Sequence, residues 1–369
     1  MTDKTTLGLL FGGRSGEHEV SLMSARSVMD ALDTDHYQVL QIGITKEGHW
    51  RSGPDLLQAF TEGDYQAGDR VTILPEPGSD GLFLWSADQP LALVSKLDVV
   101  FPVLHGTFGE DGTVQGLLEL ADVAYVGAGV LASSVAMDKG LFKRVMQAHY
   151  IPVLPWTVLQ GALIDDDIQE VIRLAEAVGA YPLFVKPANM GSSVGVSKAA
   201  NRSDLMEGLL EARQFDRRIV VEQGIEAREI EVSVIGNEDP QASIPGEVVP
   251  GADFYSYQAK YIDDTSDLLI PAPLDPETTE EIRRLAVQAY AAIDGAGFAR
   301  VDFLLEKSTN KIYMNEINTI PGFTKISMFP KLWEASGLDY RSLVQALIDY
   351  AVARQAQKTK LSRSYEGAA

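Results

Sequence analysis

Cysteine is absent from the 369-residue sequence. Its absence excludes disulfide bonds, thiolate catalysis and zinc sites with cysteine ligands. Basic side chains are also scarce, since 31 Lys and Arg accompany 52 Asp and Glu, which gives a net charge of −21. A field of this sign repels nucleic acids and anionic bilayers. We therefore expect neither as a partner, and an anionic ligand would require basic groups concentrated within its site.

A long hydrophobic run is missing as well. The most apolar stretch, residues 123–137, contains two Gly and two Ser and is bounded by Asp122 and Asp138. It falls short of a membrane span. The apolar run at residues 7–11 is shorter than the hydrophobic region of a secretory signal. These features favour a cytoplasmic protein.

The composition is that of an ordinary globular protein, with 46% hydrophobic and 22% charged residues. A chain of 369 residues is long enough for two or three domains. In the first third, apolar runs at residues 7–11, 39–44 and 97–103 alternate with an amphipathic stretch that ends near Leu32. This alternation predicts an α/β unit with a parallel sheet and crossover helices. Residues 45–95 show no clear period.

The remainder of the chain predicts two units of α+β structure. Strands are expected at residues 183–186 and 194–198. Asp275, followed by Pro276, is a candidate N-cap for a helix whose apolar residues have helical spacing. We divide the chain into an N-terminal unit, a central unit, a C-terminal unit and a tail, at 1–134, 135–224, 225–358 and 359–369.

Residues 298–318 contain two alternating runs joined by a polar turn, which predicts a β-hairpin. A turn centred on Thr309 places two pairs opposite each other on one face, Asp302 with Glu316 and Arg300 with Asn318. Like charges directly opposite destabilise a sheet, whereas two carboxylates and an amide oxygen suit Mg²⁺, which takes oxygen ligands. A metal site is one interpretation, and the solvated face of an edge hairpin is the other.

Two glycine-rich loops are candidate anion sites. The segment 183–198 reads LFVKPANMGSSVGVSK, and the Gly and Ser amides between its two strands either fold over an anion or form a simple turn. The segment 11–21, FGGRSGEHEVS, lies at a strand-to-helix junction, where backbone amides attract anions. Its glycine spacing fails the dinucleotide fingerprint, which argues against a nicotinamide dehydrogenase. Glu17 either complements the helix dipole or binds a substrate ammonium.

A third loop, residues 251–264, is rich in Gly and aromatic residues and has polar residues where a strand requires apolar ones. Long loops within compact domains are often lids. Lys260 and Tyr261 are therefore either groups that close on a ligand or ordinary surface residues.

Together these segments resemble the D-alanine:D-alanine ligases of the ATP-grasp superfamily. The motifs are FGGRSGEHEVS (11–21), LHGTFGEDGTVQG (104–116), MDK (137–139), VKPANMGSSVGVSK (185–198), EQGIEAREIEV (222–232), FYSYQAKY (254–261), FARVDF (298–303) and NEINTIPGFTKIS (315–327). The resemblance implies an ATP-grasp fold, in which a parallel-sheet domain precedes two antiparallel-sheet domains that clasp ATP. It also implies an ADP-forming ligase that joins two D-alanines through a D-alanyl phosphate, for peptidoglycan precursor synthesis.

The resemblance further implies the site residues. The ATP contacts would be Lys139, Lys186, Ser193, Glu222, Gln223, Gly224, Ile225 and Glu229, with residues 222–225 as the strand edge that binds adenine. The ligands of two Mg²⁺ ions, for which Mn²⁺ would substitute, would be Asp302, Glu316 and Asn318. Lys260 would contribute charge at the transferring phosphoryl group.

For the amino acid substrates, the resemblance implies that Glu17 binds the first ammonium and is linked to Ser192 and Tyr261, which fix a closed lid. His105 would lie near the first substrate. The remaining implied groups serve the second step: Ser327 and the Met328 backbone hold the second carboxylate, and Arg300 and the Gly322 amide stabilise an oxyanion. A homodimer is also implied.

Two other functions stay open at this stage. One is a depsipeptide ligase that joins D-alanine to D-lactate, whose motifs are similar. Such relatives tend to carry His or Phe where this chain has Tyr261. A catalytically silent ATP-binding module is the other alternative. The presence of the full set of lysines, acids, arginine and amide argues against it.

Overall fold

The computed structural model describes residues 4–191, 194–249 and 267–362. Strands within these ranges form three sheets, of eight, four and six strands. One partly parallel sheet at the N-terminus is followed by two antiparallel sheets, which is the architecture expected from the sequence. The domain limits themselves stay a prediction.

Four parallel strands make up one half of the first sheet: β1 (Thr5–Gly12), β2 (Tyr37–Ile44), β7 (Val99–Pro102) and β8 (Ala124–Tyr125). Helix α1 (His18–Ala31) follows β1, and α3 (Thr113–Leu120) precedes β8. β1 is buried on both sides, with Leu7 and Leu10 in different core clusters. Burial on both faces explains its continuous apolar sequence. The predicted parallel sheet is confirmed.

Residues 45–95 extend this sheet by antiparallel pairing, which the sequence did not reveal. The added elements are β3 (Trp50–Ser52), α2 (Leu56–Thr61), β4 (Asp69–Ile73), β5 (Gly81–Ser86) and β6 (Gln89–Lys96). β6 is the edge strand and exposes side chains on both faces, including Leu91, Leu93 and Val94. Because neither face of β6 is buried, its sequence lacks the alternation on which a strand prediction depends.

The second sheet has the order β11-β10-β12-β9. Its strands are β9 (Trp156–Gln160), β10 (Leu183–Pro187), β11 (Ser197–Ala199) and β12 (Arg218–Gln223). The helices of this region are α4 (Val130–Met137), α5 (Lys139–Ala148), α6 (Leu163–Asp166), α7 (Ile168–Glu176) and α8 (Arg202–Ala212), and α7 and α8 pack on the sheet. The strand expected at 183–186 is confirmed. The one expected at 194–198 was placed too early, since pairing begins only at Ser197.

The third sheet has the order β16-β15-β13-β17-β18, with β14 paired to β13. Its strands are β13 (Ala227–Ile235), β14 (Gln241–Ala242), β15 (Gly246–Val249), β16 (Asp267–Leu269), β17 (Phe298–Glu306) and β18 (Ile312–Asn318). Helix α9 (Pro276–Ala292) begins as predicted, because the Asp275 side chain accepts a hydrogen bond from the Thr278 amide at 2.9 Å.

The last two helices of the described residues are α10 (Met328–Ala335) and α11 (Tyr340–Lys358). α11 buries Leu343 and Leu347 in the same core cluster as Leu7 of β1. The Arg354 side chain also donates to the Tyr125 carbonyl at 2.9 Å. The C-terminal helix therefore packs on the first sheet. Within the described ranges, none of the helices combines the length and the apolar character that crossing a membrane requires.

The hairpin of β17 and β18 confirms the predicted pairing where it matters for the site. Arg300 lies opposite Asn318, and Asp302 lies opposite Glu316. Nearer the turn the prediction was wrong by one residue, because a bulge follows Asp302 and places Phe303 opposite Met314. The extra residue, Asn315, bends the strand locally.

Candidate active site

A cleft of about 1290 Å³ lies between the second and third sheets. Most of the ATP contacts implied by the sequence line it, together with two implied metal ligands: Lys139, Lys186, Glu222, Gln223, Gly224, Ile225, Glu229, Glu316 and Asn318. Five basic residues and six acidic ones face this space, counting Glu110, Lys198, Glu226, Arg228, Glu247 and Lys307 with those above. Because acids and bases nearly balance, a polyphosphate in the cleft requires additional positive charge.

Glu222 is held between two lysines at the floor of the cleft. Its Oε2 accepts a hydrogen bond from Lys186 Nζ at 2.7 Å, and its Oε1 is ion-paired with Lys143. Both Glu222 and Lys143 are only 2% exposed. Burial alone would raise the pKa of Glu222, but the two ammonium groups outweigh it and lower the pKa to about 2. Glu222 is therefore ionised at any working pH.

The strand edge implied for residues 222–225 differs from the observed one. Glu222 pairs with Phe184 on one side and with Trp156 on the other, so its backbone lies inside the sheet. The Gly224 amide also donates to the Pro182 carbonyl at 2.9 Å. Any contact from Glu222 to a ligand must come from its side chain. Sequence alone could not show this, since the neighbours of β12 come from distant segments.

Lys139 is positioned by the N-terminus of α5. Asp138 caps this helix by accepting a hydrogen bond from the Leu141 amide at 2.8 Å. The Lys139 amide donates to the Ala188 carbonyl at 3.0 Å, and its Nζ donates to the Met190 carbonyl at 2.6 Å. These bonds fasten the glycine-rich loop after β10 to the start of α5 and keep an ammonium group beside it.

A second group of predicted residues meets at the C-terminal end of β1. Glu17 is buried, and a Cβ atom built on Gly106 would lie 2.6 Å from its Oε2. The φ of Gly106 is +76°, a second reason for glycine at this position. A Cβ on Gly191 of the glycine-rich loop would lie 2.9 Å from the same oxygen. The Glu17 carboxylate therefore faces both the loop that contains His105 and the loop after β10.

His105 links the first sheet to the third. Its Nδ1 is 2.8 Å from the Ile320 carbonyl, which can only accept, so Nδ1 carries the proton. Nε2 then accepts from Ser24 Oγ at 2.9 Å. Burial lowers the pKa of His105, which favours the neutral imidazole. The hydrogen bonds at both ring nitrogens therefore fix the orientation of the His105 side chain close to Glu17.

Glu110 is a site residue that the sequence reasoning missed. Its two oxygens accept hydrogen bonds from the Gly106 and Ile320 amides, each at 2.8 Å. Burial, reinforced by the charge of Glu17, raises the pKa of Glu110 to about 8. His105 and Glu110 thus hold the carbonyl and the amide of Ile320, two residues before Gly322. The motif LHGTFGEDGTVQG contains Glu110, but its partner is 210 residues away along the chain.

The pKa of Glu110 predicts a pH dependence of stability. Its ordinary value is 4.5 and its folded value is about 8, so between these values the folded protein binds the extra proton. The free energy of unfolding should therefore fall as pH rises through this window, by up to about 1.4 kcal/mol per pH unit. Glu110→Gln should remove this contribution. Urea unfolding at several pH values between 5 and 8.5, about the span of the window, measures it.

An exposed glutamate serves as the control for this measurement. Glu207 lies on the exposed side of α8, so Glu207→Gln should follow the pH profile of the unmodified protein. If Glu110→Gln shows the same slope as both, the carboxyl group of Glu110 does not titrate as described.

The third group of predicted residues surrounds Arg300. Its Nε and Nη2 donate to the two oxygens of Asp302 at 2.8 and 2.7 Å. Asn318 Nδ2 donates to Asp302 Oδ2 at 2.9 Å. Glu231 Oε2, on the neighbouring strand β13, lies 2.9 Å from Arg300 Nε. Asp302 therefore faces its cationic and amide neighbours rather than bulk solvent.

These residues fit a divalent metal by the chemistry of their donors. Asp302 and Glu316 are cross-strand partners and Asn318 lies on the same face, so two carboxylates and an amide, the donor types that a hard cation takes, share one face of the hairpin. A small cavity of about 40 Å³ beside them is lined by Glu229, Glu231, Asp302 and Glu316. Glu316 and Asn318 also line the main cleft with Lys139 and Lys186. Glu316 and Asn318 therefore share one space with the two lysines, and Asp302 lines the smaller cavity beside it.

The groups implied for the second substrate lie at the start of α10. Ser327 is the N-cap residue of this helix, and Met328 is its first residue. The backbone amides at a helix N-terminus attract a carboxylate. Ser327 Oγ lies 3.1 Å from the position of a Cβ on Gly322, so Gly322, Ser327 and Met328 are adjacent. Ser192, Ser193, Lys260 and Tyr261 lie outside the described residues.

Comparisons with known proteins place this site in a family. The family models for the D-Ala D-Ala ligase N-terminus and C-terminus match residues 6–128 and 145–349. A D-alanine–D-alanine ligase of Heliobacterium modesticaldum is 48% identical over 97% of both chains, and one of Natranaerobius thermophilus is 46% identical over 98% of this chain and 99% of its own.

Solved structures agree with the sequence matches. The D-alanine-D-alanine ligase from Coxiella burnetii has a TM-score of 0.83 at 36% identity and 99% coverage of both chains. The VanG D-Ala:D-Ser ligase from Enterococcus faecalis has a TM-score of 0.84 at 30% identity, covering 95% of this chain and all of its own. On these matches, over nearly its whole length, the chain belongs to the D-alanine–D-alanine ligase family of ATP-grasp enzymes.

Proposed function

We propose that this protein uses ATP to join two molecules of D-alanine into D-alanyl-D-alanine, for peptidoglycan precursor synthesis. One observation carries the proposal. Lys139 and Lys186 share a nucleotide-sized cleft with Glu316 and Asn318 of the acidic hairpin, and Asp302 of that hairpin bonds to Arg300. Groups for phosphate, metal and substrate carboxyl chemistry thus occupy neighbouring positions.

The first step activates a carboxylate, which is a poor electrophile. An oxygen of the first D-alanine attacks the terminal phosphorus of ATP, ADP leaves, and an acyl phosphate forms. We assign Lys139 and Lys186 to the phosphates, with Lys260 from the loop outside the described residues, because ammonium groups offset the charge in transfer. The Glu222 side chain and residues 223–225 would hold the adenine, Glu229 the ribose, and Ser193 a phosphate.

Asp302, Glu316 and Asn318 would hold two Mg²⁺ ions, or Mn²⁺ as a substitute. Bound there, the metal would supply positive charge at the phosphates, which the nearly balanced cleft residues cannot supply alone. Glu17 would bind the ammonium of the first D-alanine beside His105. Ser192 and Tyr261 would link Glu17 to the lid.

The second step forms the peptide bond. The free amine of the second D-alanine attacks the carbonyl carbon of the acyl phosphate, a tetrahedral oxyanion forms, the attacking nitrogen loses a proton, and phosphate leaves as the carbonyl is restored. We assign Arg300 and the Gly322 amide to this oxyanion. Ser327 and the Met328 amide would hold the carboxylate of the second D-alanine. We place the reaction in the cytoplasm, where ATP is available.

Phosphate release tests the proposed reaction directly. With ATP and Mg²⁺, D-alanine should stimulate phosphate release and L-alanine should not. ATP with Mg²⁺ should also stabilise the protein by about 2.7 kcal/mol at 100 times its dissociation constant, whereas NAD should not. A nucleotide-induced shift without release by D-alanine would instead support a silent ATP-binding module.

The identity of the second substrate has a specific alternative. We propose a dipeptide product because the lid motif carries Tyr261, whereas similar ligases that use D-lactate tend to carry His or Phe there. With equimolar D-alanine and D-lactate near neutral pH, the dipeptide should predominate. Tyr261→Phe should let lactate compete. Predominance of the ester in the unmodified protein would contradict the proposal, and an unaltered preference in the variant would contradict the lid assignment.

We also propose that the protein is a homodimer, as the resemblance implies. The edge strand β6 exposes apolar residues that could contact the partner subunit of such a dimer. Light scattering during gel filtration should give twice the chain mass of 40.1 kDa. A monomer at micromolar concentration would refute this part.

A further inference from the structure

Glu231 forms a row with the two predicted metal-binding acids. It is the cross-strand partner of Asp302 on one side of β17, and Glu316 is the partner of Asp302 on the other side. Glu231 and Asp302 are both buried. Three neighbouring carboxylates on one face repel one another, so such a row requires positive charge close by.

Arg300 supplies part of that charge from within the same sheet. It lies two residues before Asp302 on β17, opposite Ser233 of β13, and therefore on the same face as the row. Its guanidinium contacts both acids: it forms two hydrogen bonds to Asp302, and its Nε is 2.9 Å from Glu231 Oε2. Arg300 thus has two carboxylate partners, on two different strands.

Under the proposed function, on which this inference rests, Asp302 and Glu231 have different roles. Asp302 is assigned to Mg²⁺, and a carboxylate that donates its lone pairs to a dication is a weaker partner for a guanidinium. Glu231 belongs to none of the assigned groups for metal, nucleotide or amino acid. Its contact with Arg300 does not involve Asp302 and would remain available to the guanidinium if Asp302 bound a metal.

We propose that Glu231 is a positioning residue for the second step. It holds the Arg300 guanidinium in place once Asp302 binds the metal, so that an N–H group of Arg300 stays directed at the tetrahedral oxyanion. A fixed donor of this kind costs no reorganisation during the reaction. Glu231 acts through Arg300 and touches no reacting atom.

The test uses a ligand that mimics the oxyanion, so that turnover is not the only readout. A phosphinate analogue of D-alanyl-D-alanine carries a tetrahedral phosphorus where the peptide carbon would be. Its dissociation constant is measured by calorimetry on the full-length protein with Mg²⁺ and a non-hydrolysable ATP analogue. Glu231→Gln should weaken this binding about 10- to 100-fold, as is typical when an outer partner of a site is removed. The KM for ATP and the half-saturating Mg²⁺ concentration should change by less than about twofold, because Glu231 is assigned to neither ligand.

A double-mutant cycle with Arg300→Lys separates positioning from a structural role. If Glu231 acts through Arg300, Glu231→Gln should add less than about twofold to the loss caused by Arg300→Lys. Glu231→Asp keeps the charge and should recover part of the binding. If Glu231→Gln does not fold, the same cycle with Glu231→Asp decides the question, because additive losses would overturn the proposal.

A matched ion pair far from the cleft provides the control. Glu119 pairs with Lys358 and accepts a hydrogen bond from Tyr125 OH at 2.7 Å. Glu119→Gln removes a comparable charge and should leave phosphinate binding unchanged. Unaltered binding in Glu231→Gln, or a change confined to Mg²⁺ dependence, would overturn the inference while D-alanine-dependent phosphate release still supports the proposed function. Loss of that release in the unmodified protein would refute the proposed function itself.

Discussion

Replacing Asp302 by Asn is expected to lower kcat for D-alanine-dependent phosphate release by about 10³-fold while the fold stays intact. A metal ligand supports several kcal/mol of transition-state stabilisation, and each 1.36 kcal/mol corresponds to about tenfold in rate. The fold should tolerate the change because Asp302 lies between Glu231 and Glu316, so neutralising it relieves repulsion in the ligand-free protein. Arg300 keeps its contact with Glu231. Steady-state kinetics at several Mg²⁺ concentrations and a melting curve without nucleotide measure the two effects.

A second glutamate on β17 provides the control, because its replacement removes a carboxylate from the same strand without removing a proposed metal ligand. Glu306 lies at the turn end of β17 and bonds to Thr309 Oγ1. Glu306→Gln should leave kcat within about twofold of the unmodified protein, as is usual for surface changes away from a site. Unchanged turnover of Asp302→Asn at saturating Mg²⁺ would refute the metal assignment. A collapse of its melting temperature would show instead that Asp302 is needed for folding.

The pairing of the acidic hairpin could be read from the sequence because local rules determine it. Alternating apolar residues define the two strands, the polar turn sets the register, and the period of two then places Asp302 opposite Glu316. The α9 cap at Asp275 was predictable for a similar reason, since its partner Thr278 is three residues away. Features that depend on short spacing were therefore recovered.

Features that depend on distant segments were not recovered. Glu110 looks like one acid in a polar loop until the Ile320 amide reaches it. Lys143 occupies an ordinary helical position, and its ion pair joins α5 to Glu222 of β12, 79 residues further along the chain. The bulge at Asn315 shifts the register near the turn, and no local signal in the alternating pattern announces it. The contacts that decide the roles of Glu110 and Lys143 join residues 210 and 79 positions apart along the chain.

Several acids lie at the sites described above, and four of them have partners that offset their charge or hydrogen-bond their oxygens. Glu222 is paired with two lysines, Glu231 and Asp302 share Arg300, and Glu110 binds two backbone amides. In a chain with a net charge of −21, these local partners offset the repulsion between neighbouring carboxylates. Glu222 is the clearest case, because its two partners lower its pKa to about 2.

Removing the charge of Glu222 is expected to have the largest effect on stability. In Glu222→Gln, the buried ammonium of Lys143 loses its carboxylate partner, and breaking a buried ion pair from one side costs about 3–5 kcal/mol. The midpoint of urea unfolding should fall accordingly. Binding of ATP should weaken as well, by at least about tenfold, because an ionised acceptor in the cleft is worth about 1.5 kcal/mol or more to a hydrogen-bonded ligand. A midpoint within error of the unmodified protein would mean that the pair does not support the fold.

The double variant Lys143→Met with Glu222→Met separates the two roles of Glu222. Replacing both members of a buried ion pair by apolar residues is often neutral or stabilising, so the urea midpoint should recover most of the loss seen in Glu222→Gln. Lys186 is 17% exposed and can turn its ammonium to solvent. ATP affinity should stay low, since the carboxylate assigned to the adenine is absent. Recovery of both properties would show that Glu222 serves the fold alone, and that the adenine is recognised by residues 223–225.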